Sequence, residues 1–357
     1  MVLIGFITVL YVLFTISVFT GLILYREPKS DNDISKKIDI LVPFKNEAPN
    51  LPRLLSSLLN QTYSAHNMEI YLINDHSSDN GEEIIAQYQK NHSNLHLLQN
   101  SGSGKKEALI TGFKASENEI ILMTDADTLV PENWVMSHST KFTADTDMMI
   151  GSVNMNPVKR SFWHLLQVLE YKSIIAVTNG MAALKIPVMC SAANLSFRRS
   201  SLDNIREALN MNYSSGDDMF LLQYFRKHKK KIILNASATK IKSETFKKFI
   251  RQRIRWSGKA EGYSDIMTII TGTVVILMNL SVLFSAIAIG FNKAWIDVFL
   301  MLFFTKLVVD IITIAPTIKK NEISLLLFIF PLSFIYPVYT IFVTAAGLLT
   351  PKNKQSW

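Results

Sequence analysis

Three long stretches without a single charged residue constrain this chain more than any other feature. Residues 2–25, 266–292 and 323–350 contain no Asp, Glu, Lys or Arg. Wound into a helix at about 1.5 Å per residue, each exceeds the ~30 Å hydrocarbon core of a bilayer. A purely soluble protein is therefore excluded. Cys190 is the only cysteine, so a scaffold held by disulfides within the chain is excluded as well.

The first of these stretches also has the composition of a secretory signal. It lacks a basic segment at its start and a small-x-small cleavage site before Arg26. We therefore predict a retained membrane helix, with a removed signal peptide as the alternative.

A fourth apolar stretch, residues 294–318, contains Asp297, Lys306 and Asp310. Charges inside a membrane span are costly unless they pair or face protein. Lys306 and Asp310 lie four residues apart and can neutralise one another on one helix face. We predict a packed span here, with an interfacial helix as the alternative. Two prolines in the last stretch, Pro331 and Pro337, predict a kink.

The charge distribution predicts how the chain is oriented. The formal net charge is +8, and residues 226–259 are rich in Lys and Arg with Glu244 as their single acidic residue. A basic segment beside a span favours the cytoplasmic side and anionic lipid head groups. We expect a multi-pass protein of a bacterial cell membrane with its polar block in the cytoplasm. A nucleic-acid partner is not expected, since the basic segment abuts a membrane helix.

The polar block alternates short apolar strands with amphipathic helices. We predict strands over 38–42 (stopped by Pro43), 69–73, 95–98 and 119–124, and helices over 51–59, 81–90, about 105–116, and one that Pro131 opens as its first residue. Repeated strand–helix units of this length are typical of an α/β fold with a mostly parallel sheet. Ligands of such sheets bind at the carboxyl ends of the strands.

Polar clusters follow three of the predicted strands. They are Pro43–Glu47, the segment 74–79 around Asp75, and Asp125-x-Asp127. Turn and cap formation is the simpler interpretation of each cluster alone. Two alternate carboxylates directly after a strand can also approach one hard cation, and a divalent ion there would stabilise a departing diphosphate. The glycine-containing turn before Lys105 places a further cation where it can reach a phosphate.

Two later motifs also point to chemistry. Gly216 precedes two carboxylates, Asp217 and Asp218, at a predicted helix start, where the helix dipole favours ionised carboxylates; helix capping is the alternative. The second motif, Gln252-x-x-Arg255-Trp256, lies on a helix whose apolar stripe also suits a membrane surface. Arginine suits a diphosphate because its guanidinium donates two parallel hydrogen bonds.

Taken in order, these pieces resemble the family 2 glycosyltransferases, which have a GT-A fold. The pieces are VPFKNE, INDHSSD, GSGKKEALITGF, ILMTDADT, CSAANLSFRRSSL, SSGDDMFLL and QRIRW, over roughly residues 38–259. The flanking spans resemble those of cellulose, chitin and hyaluronan synthases, and ceramide glucosyltransferase shares the last motif. The resemblance implies a Rossmann-like α/β GT-A catalytic domain joined to transmembrane helices.

The resemblance also implies how a nucleotide-sugar donor would be bound. Pro43 and Glu47 would line the site of the base, Asp75 would hydrogen-bond uracil, and Lys105 would lie near the nucleotide. Asp125 and Asp127 would hold the ribose or sugar and a Mg²⁺ or Mn²⁺ ion, with Asp127 as the main ligand. Gln252 and Arg255 would bind the diphosphate.

On the acceptor side, the resemblance implies that Asp218 is the catalytic base. Asn194, Asp217 and Trp256 would lie at the sugar or acceptor. The chain departs from the common pattern at His76, which replaces a glycine, and at Asn74, which replaces a frequent aspartate. These departures leave the donor's base less defined than the reaction.

The sequence therefore predicts an inverting, metal-dependent glycosyltransferase that moves a sugar from a UDP-sugar to a lipid-linked or glycan acceptor at the membrane. A processive polysaccharide synthase is the alternative within this class, and a partner subunit or homo-oligomer would suit it. A transport or scaffold protein with a non-catalytic nucleotide-binding domain is the alternative of another class. The predicted organisation is a membrane helix over 1–25, the GT-A domain over 26–242, an interfacial helix over 243–264, about three spans over 265–350 and a polar tail over 351–357.

Overall fold

The computed structural model describes residues 1–31 and 33–350. They divide into two compact units, each drawn from several stretches of the chain. The sheet unit comprises residues 26–31, 33–154 and 189–242, and the helical unit comprises residues 1–25, 155–188 and 243–350. The predicted polar tail, 351–357, lies outside the described residues.

Twelve α-helices occur in the described residues. They are α1 Val2–Leu24, α2 Leu51–Leu59, α3 Gly81–Gln89, α4 Lys105–Ala115, α5 Trp134–Lys141, α6 Phe162–Ala183, α7 Ile205–Leu209, α8 Asp217–Lys227, α9 Phe246–Ser257, α10 Ile266–Ala288, α11 Trp295–Ile314 and α12 Leu326–Leu349. Short 3₁₀ turns, such as the one over Ala192–Asn194, lie between elements of secondary structure.

Seven strands form one sheet. They are β1 Ile38–Phe44, β2 Met68–Asn74, β3 Leu95–Gln99, β4 Ile120–Met123, β5 Met148–Asn156, β6 Leu195–Arg198 and β7 Ile232–Lys242. Their order across the sheet is β3-β2-β1-β4-β6-β5-β7. Strands β1 to β4 pair in parallel, whereas β6 is antiparallel to both β4 and β5. The predicted fold class, a mostly parallel α/β sheet with long apolar helices beside it in the sequence, is confirmed.

Both faces of the parallel half are covered by helices, which explains why its strands are apolar throughout. Every residue of β1 is buried. Ile40 and Val42 pack with the leucines of α2, and Leu41, which points to the other face, packs with apolar residues of α4 and α8. Strands buried on both faces lose the alternation of apolar and polar residues that marks a half-exposed strand.

Two predictions based on prolines, that Pro43 ends a strand and that Pro131 begins a helix, are wrong. Strand β1 does not stop at Pro43 but continues through Phe44. The carbonyl of Leu41 accepts from Thr124 and that of Phe44 accepts from Asp75, so Pro43 faces the side of β4, past the last paired residue of that strand. The ladder with β4 ends at Leu41, so it does not use the N–H that proline lacks.

Pro131 does not open a helix. Helix α5 begins three residues later, at Trp134, and the intervening residues form a turn closed by a hydrogen bond from the Trp134 amide to the Pro131 carbonyl. The carbonyls of Pro131 and Glu132 accept from Gln61 and Thr62. The turn thus bonds to the segment after α2 rather than continuing α5.

The helical unit contains the apolar stretches. Within the described residues, four helices are long and apolar enough to cross a membrane, over 2–24, 266–288, 295–317 and 320–349. The predicted pairing of Lys306 with Asp310 on α11 is confirmed, and the Tyr11 hydroxyl also donates to Asp310, at 2.6 Å. Both prolines of the last stretch lie inside α12.

Two glycines allow α1 and α6 to pack closely. A Cβ atom on Gly21 would lie 1.9 Å from the carbonyl oxygen of Gly180, and one on Gly180 would lie 2.4 Å from that of Val18. Small residues at such crossings let helix backbones approach directly.

Candidate active site

The three predicted polar clusters follow adjacent strands of the sheet. Strands β2, β1 and β4 are neighbours and parallel, so their carboxyl ends lie at the same edge. Lys45 follows β1, Asp75 follows β2 and Asp125 comes shortly after β4. The expectation that these groups share one edge of the sheet is met by the topology.

Asp75 is buried and held from three sides. Its Oδ1 accepts from the side-chain amide of Asn100 at 2.6 Å and from the backbone of Gly104 at 2.8 Å, and its Oδ2 lies 3.3 Å from the Lys45 ammonium. Burial alone would raise the pKa of this carboxyl, but the three donors outweigh it and hold the pKa below its ordinary value. Asp75 is therefore ionised at neutral pH.

His76 explains one departure from the family pattern. Its φ is +56°, in the left-handed region where glycine is usual and histidine is tolerated better than most residues. Its ring nitrogen Nε2 lies 2.7 Å from the carbonyl of Gly102. The site thus keeps the backbone conformation that a glycine would give and adds a side-chain contact to the turn before α4.

Pro43 is the last but one residue of β1, and Glu47 lies in the loop that follows this strand. Glu47 accepts from the side-chain amide of Asn50 at 2.7 Å. Between them, Asn46 has a φ of +55° and bonds the loop after β2, through Ser77 and Ser78. The two loops that follow neighbouring strands therefore support one another.

Lys105 links two of the predicted acidic clusters. It is the first residue of α4, and its ammonium lies 2.7 Å from Asp125 Oδ1 and 3.1 Å from Asp217 Oδ2. Burial would lower the pKa of this lysine, but attraction to Asp125, Asp217 and Asp218 raises it well above its ordinary value. Residues 105, 125, 217 and 218 are thereby brought together from three separate parts of the chain.

The Asp125-x-Asp127 segment forms a turn that exposes both carboxylates. Asp125 and Asp127 are half-buried, whereas Ala126 and Thr128 between and after them are buried. Arg53 on α2 donates to the Asp127 carbonyl at 2.6 Å, and the Thr128 amide donates to the Asp125 carbonyl. The sequence analysis missed Arg53, which sits on the polar face of an otherwise apolar helix.

Asp218 lies in the first turn of α8, behind the positive φ of Gly216 (+85°). Its Oδ1 accepts from the Met219 amide at 2.7 Å, and its Oδ2 lies 3.4 Å from the amide of Ala192. The side chain is half-buried, and its neighbour Asp217 is buried. The prediction that a helix begins at this pair of carboxylates is confirmed.

Asn194 occupies a fully buried network. Its side-chain nitrogen donates to the carbonyls of Ser152 (2.6 Å) and Ser237 (2.8 Å), and its oxygen accepts from Trp134 Nε1 at 2.8 Å and lies 3.0 Å from His138 Nε2. These four bonds use the whole capacity of an amide. Contact of Asn194 with a sugar or acceptor stays a prediction, and it would require one of these bonds to break.

The network also fixes the state of His138, which the sequence analysis missed. Because the Asn194 oxygen can only accept, His138 Nε2 carries the proton, and Nδ1 accepts from Ser196 Oγ at 2.8 Å. Burial lowers the pKa of His138 to about 4. The spacing of Trp134 and His138 by four residues, on one face of α5, is the only sequence signal that could have pointed to it.

Gln252, Arg255 and Trp256 lie on α9, in the helical unit. The buried member of this segment is the intervening Arg253, whose Nε and Nη2 lie 2.9 and 2.7 Å from Glu170 Oε2 on α6. Arg253 also donates to the Gln252 side chain at 2.6 Å and lies 4.1 Å from the Trp256 ring. The roles of the three motif residues stay predictions.

No group of three or more His, Cys, Asp or Glu side chains suited to a metal occurs among residues 1–31 and 33–350. Mg²⁺ commonly binds one or two protein carboxylates and takes its other oxygens from water and substrate phosphates. The pair Asp125 and Asp127 is compatible with that kind of site, and the predicted ion stays a prediction.

Comparison with known proteins identifies the domain. Residues 39–206 match the family described as Glycosyl transferase family 2. Residues 39–206 therefore form a family 2 glycosyltransferase domain. The match confirms, for these residues, the family predicted from the motifs, and it ends before Asp217 and the Gln252–Trp256 motif.

The curated relatives of this domain have names that refer to glycan synthesis. A poly-beta-1,6-N-acetyl-D-glucosamine synthase of Staphylococcus epidermidis is 27% identical over 247 residues, which are 67% of this chain and 57% of that protein. The poly(ribitol-phosphate) beta-N-acetylglucosaminyltransferase TarP of Staphylococcus aureus is 32% identical over 129 residues, 35% of this chain and 39% of that protein. The aligned part thus spans about half the length of these relatives.

A solved structure has a similar fold. It is the mannosyltransferase PcManGT of Pyrobaculum calidifontis, in complex with GDP-Man and Mn²⁺, with a TM-score of 0.50 and 15% identity over 96% of this chain and 98% of that one. At this identity the likeness shows the fold, and it agrees with the GT-A fold predicted from the sequence.

Proposed function

We propose that this protein is an inverting glycosyltransferase that moves a sugar from a UDP-sugar to a lipid-linked or glycan acceptor at a membrane. One observation carries the proposal: Lys105 joins Asp125, directly after β4, to Asp217 beside Asp218. This arrangement lies at the carboxyl ends of the strands of a family 2 glycosyltransferase domain, where α/β sheets bind their ligands.

The base of the donor would bind beside Pro43 at the end of β1 and along the loops after β1 and β2, which contain Glu47 and Asp75. The Oδ1 atom of Asp75 already accepts two bonds, whereas Oδ2 has, among residues 1–31 and 33–350, a single polar contact, 3.3 Å from the Lys45 ammonium. Oδ2 is therefore the atom that would accept the N3–H of uracil. Because Asp75 is ionised, it would act only as an acceptor, which suits a base that presents an N–H.

Asp218 would act as the catalytic base. Backbone amides of Met219 and Ala192 orient its carboxylate, which would take the proton of an acceptor hydroxyl as its oxygen bonds to the anomeric carbon. The bond from that carbon to the diphosphate breaks in the same step, and UDP leaves with the electron pair. One base and one displacement give inversion, and no covalent enzyme intermediate is needed.

Asp125 and Asp127 would hold a divalent cation, Mg²⁺ or Mn²⁺, together with donor phosphate oxygens. When bound, such an ion would neutralise the charge that develops on the departing diphosphate. Lys105 would keep Asp125 in place and contribute its own positive charge near the phosphates. In the helical unit, Gln252 and Arg255 are proposed diphosphate ligands, and Trp256 a contact of the acceptor.

The four apolar helices support a membrane location, with the basic segment at 226–259 on the cytoplasmic side. The name of the Staphylococcus epidermidis relative supports the processive alternative, in which the acceptor is a growing polysaccharide. The transport alternative rested on charges within the spans, but Lys306 and Asp310 neutralise one another. It is therefore the weaker proposal.

Release of UDP from a panel of nucleotide-sugars tests the proposal. The full chain, in membranes with added lipid extract or oligosaccharide, should release UDP in an EDTA-sensitive reaction, and Asp218→Asn should lower the rate by about 10²- to 10⁴-fold. Asp145→Asn, which removes a surface partner of Lys231, is the matched control. Full turnover by Asp218→Asn would remove this residue from the mechanism.

A further inference from the structure

A cavity of about 110 Å³ lies inside the helical unit. Its lining comes from α1, α6, α10, α11 and α12, and it includes Tyr11, Thr15, Glu170, Lys306 and Asp310. The walls between these polar groups are apolar side chains such as Phe14, Leu169, Val275 and Leu332. Its volume is several times the volume that one water molecule requires.

Lys306 brings unused hydrogen-bond donors to this cavity. Its side chain is only 3% exposed, and its hydrogen-bond partner within the described residues is Asp310. The ring of Tyr336 lies 5.2 Å from its ammonium. An ammonium has three hydrogens, so a buried lysine with one carboxylate partner needs further oxygen atoms.

The hydroxyl groups of the lining have oxygens that can accept hydrogen bonds. Thr15, Thr313 and Ser333 donate their hydrogens to carbonyls of their own helices, at 3.0, 2.8 and 2.8 Å. Their oxygens therefore remain as acceptors. A group that suits this cavity both accepts from Lys306 and donates to a hydroxyl oxygen, which is the chemistry of an alcohol.

The charges of the lining exclude an ionic head group. Lys306 pairs with Asp310, and Glu170 pairs with Arg253. A phosphate or an amine placed here would be a buried charge without a counterion, which is costly. The ligand is therefore neutral, and the apolar walls favour one that carries hydrocarbon.

We propose that this cavity binds the free hydroxyl and the glycerol part of a neutral lipid of the diacylglycerol class, with the hydroxyl at Lys306. A volume of about 110 Å³ is too small for the acyl chains, which would extend out of the cavity along the apolar helices. The inference depends on the helical unit lying in lipid, as the proposed function requires, but it does not depend on sugar transfer.

Photolabelling of the full chain in phosphatidylcholine nanodiscs tests the site. A diacylglycerol bearing a diazirine and an alkyne should label α1, α11 or α12 near the cavity, as mapped by mass spectrometry of the peptides. Unlabelled dioleoylglycerol should suppress this labelling, and dioleoyl phosphatidic acid should not. A diazirine phosphatidylcholine, used in parallel, reports whether the helices lie in lipid at all.

Thr15→Val with Ser333→Ala removes two acceptors with little change of size. Labelling should fall by about fivefold, the loss of one hydrogen bond, because the single hydrogen of the ligand hydroxyl loses these two acceptors. Thr8→Val is the control, because Thr8 lies on the same helix, bonds its own helix in the same way, and is not part of the cavity lining. Circular dichroism and thermal unfolding verify that all variants fold.

Labelling that the double variant leaves unchanged, or that phosphatidic acid suppresses equally well, would overturn the proposal and leave water as the occupant of the cavity. Failure of the phosphatidylcholine probe to label the helices would instead refute the membrane location. Sugar transfer is measured separately by UDP release, so its failure is distinguishable from both results.

Discussion

The ion pair between Glu170 and Arg253 allows a quantitative test of what holds α9 in place. The side chain of Arg253 is 4% exposed; its Nε donates to Glu170 Oε2 at 2.9 Å, and its Nη2 lies 2.7 Å from the same oxygen. The Tyr339 hydroxyl donates to Glu170 Oε1 at 2.8 Å. The same guanidinium donates to Gln252 and lies over the rings of Phe249 and Trp256. Arg253 thus connects α6 and α12 to the segment that contains the Gln252–Trp256 motif.

Glu170→Gln keeps the shape of the side chain and removes its charge. Breaking a buried ion pair from one side costs about 3–5 kcal/mol, because the remaining charge stays buried without a partner. A glutamine can still accept one bond from Arg253, so we expect the lower end, about 3 kcal/mol. A free-energy change of that size corresponds to roughly 100-fold more frequent opening of the structure that depends on it.

Hydrogen–deuterium exchange of the full chain in detergent measures this opening locally. The amides of 246–257 should exchange about 100-fold faster in Glu170→Gln. Glu244→Gln is the matched control, because Glu244 pairs with Lys248 at 3.7 Å on the exposed surface next to the same helix, and such pairs contribute about 0–1 kcal/mol. The double variant Glu170→Leu/Arg253→Leu should lose less than Glu170→Gln, since no charge is left buried.

The reasoning would be refuted if exchange in 246–257 rose no more in Glu170→Gln than in Glu244→Gln. That result would mean that α9 is held by its apolar contacts, such as Phe249 on Tyr339, and that Arg253 does not position Gln252.

Three further predictions concern the sheet unit. His138 has a pKa of about 4 in the folded state, whereas an unfolded histidine binds a proton below about pH 6.5. The stability that neutral His138 contributes is therefore fully present above pH 6.5 and falls by about 1.4 kcal/mol per pH unit down to pH 4. Melting curves should show this loss for the unaltered chain and not for His138→Gln. Gly151→Ala should lower the melting temperature by several degrees, because its Cβ would lie 2.0 Å from the buried side chain of Asn194, and an unchanged melting temperature would contradict the packing of that network. His76→Gly should leave the melting temperature within about 1 °C or raise it, since φ is +56°, whereas His76→Val should lower it; equal melting temperatures for the two variants would contradict the left-handed conformation.

Local patterns predicted the parallel half of the sheet unit well. The helix periodicity of Leu51–Leu59 and the glycine before Asp217 correspond to α2 and to the start of α8. The errors at Pro43 and Pro131 both arise from neighbours that lie elsewhere in the sequence. The ladder between β1 and β4 ends before Pro43, and the carbonyls of Pro131 and Glu132 accept hydrogen bonds from the segment after α2.

The rest depended on contacts between distant residues. Strand β6 runs antiparallel to β4 and β5, and the alternation of strands and helices in the sequence did not predict this reversal. The Asn194 network joins residues from β5, α5 and β7, and Arg253 meets a partner 83 positions away. Each of these contacts depends on single residues, so the periodicity of apolar residues does not predict them.

The close crossing of α1 and α6 has a practical consequence for anyone who dissects this protein. Helix α6 lies between β5 and β6 in the chain, so a fragment that starts after residue 25 retains α6 but loses the helix whose backbone rests against Gly180. The face of α6 that packs against α1 would then be exposed and could contact other molecules. Removing the first apolar stretch to gain solubility should thus expose a new apolar surface that favours aggregation. Exchanging the sheet unit between relatives would require exchanging its separate chain segments together.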